Sequence, residues 1–126
     1  MELFGDEWSR DNIVPRIERM HEDYNYLKRM TTLHCIEVMA SCMSPDSVDT
    51  IFTSIVLKMT KDNVPNVRFT AARTLEKMYP VLRDKESSAD ILAALTSLKE
   101  NDPDQDVQYF SSESLKKIEV GSDMNL

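Results

Sequence analysis

Apolar residues in this chain recur at helical spacing between short polar breaks. Val67, Ala71, Leu75, Met78 and Leu82 step by four, four, three and four, which predicts one apolar stripe along a helix. Three of the breaks carry an aspartate, and Asp23, Asp62 and Asp102 lie 39 and 40 residues apart. Counted from each aspartate, offset 6 holds Arg29, Arg68 and Gln108, and offset 7 holds Met30, Phe69 and Tyr109, all large. Offset 9 holds Thr32, Ala71 and Ser111, all small; offset 13 holds Ile36, Leu75 and Leu115; offset 16 holds Met39, Met78 and Ile118. A period near forty with helical spacing predicts an all-α fold, a right-handed α-solenoid of three antiparallel helix pairs. No single pair can bury its apolar faces, so the pairs must stack. The small residue at offset 9 lets neighbouring helices approach closely.

Each unit divides into a helix before its aspartate (11–20, 45–61 and 88–100) and one after it (26–42, 65–79 and 103–120). Ser44-Pro45-Asp46 and Asp102-Pro103-Asp104 each offer a capping side chain, a proline at the first helical position and an acid in the first turn. Ser87 with Asp90 has the spacing of a capping box with a shorter acid. Pro80 is expected to end or kink its helix near Tyr79. The resulting organisation is 1–10 as the end of a preceding repeat and linker, repeats at 11–43, 44–83 and 84–120, and a frayed tail at 121–126. Phe4-Gly5 has the form of a helix end from an earlier repeat, and Trp8 is expected at the seam with it. A solenoid cut there exposes an apolar end, which predicts dimerisation through that end.

Composition narrows the function. With 41% hydrophobic and 29% charged residues the chain is globular, and only two glycines leave no Gly-rich phosphate cradle. The formal charge of −7, without a Lys/Arg cluster, disfavours nucleic acid and anionic membrane as partners. The acidic start is unlike a signal peptide and no apolar run reaches a membrane span, which predicts a cytoplasmic and also nuclear protein. Cys35 and Cys42 fall two turns apart on one helix, about 10 Å, too far to bridge; they are expected to be reduced core filler. His34 and Cys35 point about 100° apart on a helix and cannot converge on one ion. No nucleophile elbow, Walker loop or zinc-protease motif is present, so the chain is expected not to be an enzyme and to need no cofactor. Asp102, Asp104, Asp106 and Glu113 match the ligand spacing of a calcium-binding helix-loop-helix, an alternative of a different class. Against it, Val107 stands where that loop needs glycine.

Arg29 and Arg68 sit at helix starts, where the dipole opposes a cation, so each needs a carboxylate, from its own or the adjacent unit. Asp23, Arg29, Asp62, Arg68 and Asp102 are thus expected to form a structural ladder. Tyr26 stands at a helix start in a loop of Asp, Asn and Glu, without core duty, and tyrosine is enriched among interface anchors.

The Asp23/Arg29 and Asp62/Arg68 pairs resemble those of HEAT repeats. More closely, Phe4-Gly5-Asp6-Glu7-Trp8, residues Asn25 to Leu33, Asn66-Val67-Arg68-Phe69 and Asp104-Gln105-Asp106-Val107 resemble the C-terminal repeats of the scaffold (structural A) subunits of protein phosphatase 2A. The likeness runs from Phe4 to Val120. It implies a non-catalytic scaffold whose intra-repeat loops dock the phosphatase catalytic subunit, with upstream repeats, absent here, holding regulatory subunits. By position the implied docking residues are Tyr26 and Leu27, then Val64, Pro65 and Asn66, then Gln105 and Asp106. Pro65 replaces a small flexible residue, and Glu22 a glycine, of the family pattern. The alternative within the same class is a HEAT-repeat interaction module of another scaffold or transport factor.

Overall fold

A computed structural model describes Trp8 and residues 11–124 of the chain. The stretch from Phe4 to Glu7, and with it most of the preceding-repeat segment at 1–10, lies outside the described residues. The elements are α1 (Val14–Met20), α2 (Tyr26–Ala40), α3 (Pro45–Val48), a π-helical turn (Asp49–Thr53), α4 (Ser54–Met59), α5 (Pro65–Leu82), α6 (Ser87–Asn101) and α7 (Gln105–Met124). Among the described residues there is no strand. From α3 to α4 the backbone stays helical throughout, so these three segments make one rod with a widened turn in its middle.

The helices form an α-solenoid of three pairs: α1 with α2, the α3–α4 rod with α5, and α6 with α7. The second helices α2, α5 and α7 stand side by side, with α5 central. That position explains its composition. Val67, Ala71, Leu75, Met78 and Leu82 are all buried, and so are Ala72, Thr70 and Thr74 on its flank. The two threonines satisfy their hydroxyls by donating to the carbonyls four residues back, Thr70 to Asn66 and Thr74 to Thr70. Phe52 and Val56 from the rod and Ile91 and Leu95 from α6 close the core from the other layer. One continuous apolar cluster runs from Val14 to Ile118. The first-layer helices close less tightly: α4 and α6 leave between them a groove of about 670 Å³ lined by Leu57, Lys58, Ala93, Ala94 and Leu98.

Several element ends depart from the sequence expectation. Pro80 does not end its helix, and α5 continues to Leu82. Leu82 is fully buried, so packing of the last turn outweighs the hydrogen bond that proline cannot make. The last helix begins at Gln105 rather than at Pro103, because Asp104 is its cap: Asp104 Oδ1 accepts from the backbone N–H of Asp106 (2.9 Å) and of Val107 (3.1 Å). It then runs to Met124, through most of the segment expected to fray. The Ser87 capping box does not form. Ser87 is already inside α6, its hydroxyl buried without a partner, and Ser88 donates instead to the carbonyl of Lys85. The Ser44 cap does form, its hydroxyl accepting from Ser47 N–H ahead of Pro45.

Two side-chain placements also differ. Cys35 and Cys42 are exposed, not core filler. Helix α2 turns Thr32, Leu33, Ile36 and Ala40 inward, and Cys35, one residue from Ile36, is rotated about 100° off that stripe. Cys42 lies beyond the helix end. In the third pair, Tyr109 is 60% exposed although it aligns with Met30 and Phe69. The next residue, Phe110, takes the packing role against Phe69, with ring centroids 5.2 Å apart.

Candidate functional site

The three loops between paired helices share one construction. At each start the aspartate's Oδ1 accepts the backbone N–H two residues on, at 2.9 Å: Asn25 to Asp23, Val64 to Asp62, Asp104 to Asp102. This Asx turn bends the chain before the second helix starts. The side chain at offset 6 then reaches back to the aspartate's own carbonyl. Arg29 Nη1 donates to Asp23 O (2.8 Å), Arg68 Nη1 to Asp62 O (2.9 Å), and Gln108 Nε2 to Asp102 O (2.6 Å).

The arginines also bind forward. Arg29 Nε and Nη2 grip the Asp62 carboxylate at 2.7 and 3.0 Å. Arg68 grips that of Asp102 at 2.7 and 3.0 Å. These are fork-to-fork pairs, planar on both sides, and both are largely buried. Each arginine therefore fastens its own loop and the next one with a single guanidinium. Asp23 caps Asn25 and lies 3.8 Å from Lys28. Gln108 makes the backward bond but has no charge to send forward.

Other ties also join residues about one repeat apart. Lys58 binds Glu22, Lys85 binds Asp46, and Ser114 donates to Glu76, all between neighbouring pairs. Lys58, by hydrogen bond and charge, holds the Glu22 carboxyl below its ordinary value. Asp46, through its hydrogen bond, raises the Lys85 ammonium above its ordinary value. Glu22 needs no glycine's freedom, since no described non-glycine residue has a positive φ.

Held side by side by this ladder, the loops present their tips outward. Tyr26 is 40% and Leu27 57% exposed, in the first turn of α2, above the Asn25 cap. Asn66, Gln105 and Asp106 are exposed at the starts of α5 and α7. Val64 and Pro65 are half-buried, and Val64 packs against the core. Tyr24, which sequence reasoning passed over, is 98% exposed two residues before Tyr26. A second aromatic in so polar a loop is the signal that marks it. Between the first two loops lies a pocket of about 480 Å³ lined by His21, Glu22, Arg29, Lys58, Lys61 and Asn63, among others.

The calcium spacing does not become a cation cage. Asp102 is held by Arg68, and one oxygen of Asp104 caps α7. Among the described residues no group of three or more His, Cys, Asp or Glu side chains is placed to hold a metal ion. No described helix is long and apolar enough to cross a membrane.

A family model described as HEAT repeat matches residues 52–82, which run from Phe52 to the end of α5. With the stacked pairs, this match places a HEAT repeat at the centre of an α-solenoid. Its sequence is in turn similar to the regulatory A subunit of protein phosphatase PP2A from Saccharomyces cerevisiae, 30% identical over 125 residues and 94% of this chain. It is also similar to the same-named proteins of Schizosaccharomyces pombe (34% identical, 57% of this chain) and Pisum sativum (40% identical, 36% of this chain). The chain spans 20% of the length of the Saccharomyces cerevisiae relative, and 12% and 11% of the other two.

Proposed function

We propose that the chain is a non-catalytic scaffold segment that docks the catalytic subunit of a type 2A serine/threonine phosphatase through its intra-repeat loops. The observation that carries this reading is the exposed ridge of Tyr26, Leu27, Asn66, Gln105 and Asp106 above two buried arginine–aspartate pairs. Tyr26 and Leu27 leave much of their surface open, on loops fixed in place before any partner arrives. Preorganisation of that kind removes ordering cost from binding. The likeness to PP2A regulatory A subunits across 94% of the chain supports the choice of partner. Regulatory subunits would be held by repeats of a longer scaffold, and the chemistry of this segment is positioning alone.

The test is binding of the 126-residue chain to a phosphatase 2A catalytic subunit by surface plasmon resonance, with Tyr26→Ala and Asn66→Ala beside wild type. Each anchor should cost about 1–3 kcal/mol, or about 5-fold to 150-fold in affinity. Cys35→Ala, on the exposed side of α2 away from the loops, should leave binding unchanged. If the two loop variants bind like wild type while the helix-face variant does not, the loop assignment is wrong.

A further inference from the structure

The cations of this acidic chain are unevenly placed. Six described cations, Lys28, Arg29, Lys58, Arg68, Lys85 and Lys116, pair with a carboxylate, and of those without such a partner among the described residues Arg73, Lys77, Arg83 and Lys117 gather along the seam between α5 and α7. Arg73 and Lys77 are one helical turn apart on the same helix, a like-charge spacing that costs helix stability. Lys77, Arg83 and Lys117 line one pocket of roughly 220 Å³ together with Glu76, Tyr79, Pro80 and Ile118. The lining therefore carries three cations against one carboxylate in a chain whose net charge is −7. That carboxylate is already engaged, since Glu76 Oε1 accepts from Ser114 Oγ at 2.9 Å.

Arg83 adds a separate observation. It caps the C-terminal end of α5, is half-buried, and its Nε is buried with no hydrogen-bond partner. A buried guanidinium donor left unpaired costs stability, because its lost hydration is not replaced. Arg83 also lines the pocket, and the planar fork of arginine suits an oxyanion.

We propose that this seam is an oxyanion site, taking a phosphate group through Arg83, Lys77 and Lys117. The site lies on the second-helix layer, away from the loop ridge, so it stands whether or not the loops dock a phosphatase. Two sources share this chemistry, free phosphate and a phosphate monoester on a serine-bearing peptide.

The experiment is a titration of the isotope-labelled 126-residue chain, first with inorganic phosphate and then with a phosphoserine peptide, followed by amide and arginine Nε–Hε signals. Shifts are expected at Lys77, Arg83 and Ile118. Arg83→Gln and Lys117→Gln should each weaken binding by about tenfold or more, the loss of a charge-assisted bond. Lys99→Gln, outside the pocket, should leave it unchanged. Circular dichroism establishes that the variants fold; should Arg83→Gln unfold, the more exposed Lys117→Gln decides. Tighter binding of the peptide than of inorganic phosphate assigns the peptide source, and equal binding assigns the free anion. Absence of saturation up to tens of millimolar phosphate overturns the site, as do shifts spread evenly over all lysines or unchanged affinity in both pocket variants.

Discussion

Arg68 holds Asp102 by two parallel hydrogen bonds, Nε to Oδ2 at 2.7 Å and Nη2 to Oδ1 at 3.0 Å, across a separation of one repeat. The Asp102 side chain is nearly enclosed. Removing Arg68 therefore strands a buried carboxylate, and Arg68→Ala should cost about 3–5 kcal/mol of unfolding free energy. Arg68→Lys keeps the charge but not the fork, and should lie between wild type and alanine. Urea denaturation measures both. A double-mutant cycle with Asp102→Ala should show strong coupling; additive losses would mean the pair contributes nothing as a pair.

Close packing of the second helices makes a different demand at Ala71, which is fully buried in the central helix. Ala71→Leu inserts three carbons where α5 meets its neighbours, and should destabilise by about 1–3 kcal/mol through overpacking. Leu75→Ala, four residues on, opens a cavity and should cost about 2–5 kcal/mol. Chemical denaturation of each should show the losses with unchanged helical content.

Glu22 gives a pH effect whose sign follows from its lowered folded value. A carboxyl below its ordinary range contributes stability above the unfolded value, and loses it as pH falls through the folded value. Lys58→Gln should return the Glu22 titration toward the ordinary range, read from its side-chain carbon signal. Both partners are open to solvent, so the stability change should be small and diminish with salt.

The thiols offer a native-state readout. Cys35 and Cys42 are exposed, so both should react with a water-soluble maleimide or disulfide reagent without denaturant. Mass spectrometry should find two adducts on the folded chain; protection of either would contradict its placement on the surface.

Much of the architecture is legible in the sequence because one interaction repeats at the period of the fold. The aspartates at 23, 62 and 102 mark where each loop begins, and the stripe from Val67 to Leu82 identifies the central helix. Misreadings cluster where tertiary packing decides between local options. Pro80 signals a stop, but burial of Leu82 carries the helix past it. Two aspartates flank Pro103, and only the pairing of Asp102 with Arg68 leaves Asp104 free to cap. Cysteine is usually buried, yet its place beside Ile36 on a helix with one inward stripe sends Cys35 outward. The π-helical turn at Asp49–Thr53 has no proline or glycine to announce it. At the candidate ridge, exposure of Tyr26 is readable from its polar neighbours, while the half-burial of Val64 depends on the core beneath it.

The ladder has a direction. Arginine of one pair addresses aspartate of the next, so Arg29 speaks for Asp62 and Arg68 for Asp102, whereas Gln108 closes its own loop and addresses nothing further among the described residues. Buried ionic coupling between the loops is thus concentrated in two contacts, beside the apolar packing of the helices. A nearest-neighbour chain of that kind has a finite cooperativity length. With both rungs intact the pairs should melt as one unit. With one rung cut, fraying should spread from the end nearest the break and stop at the surviving rung.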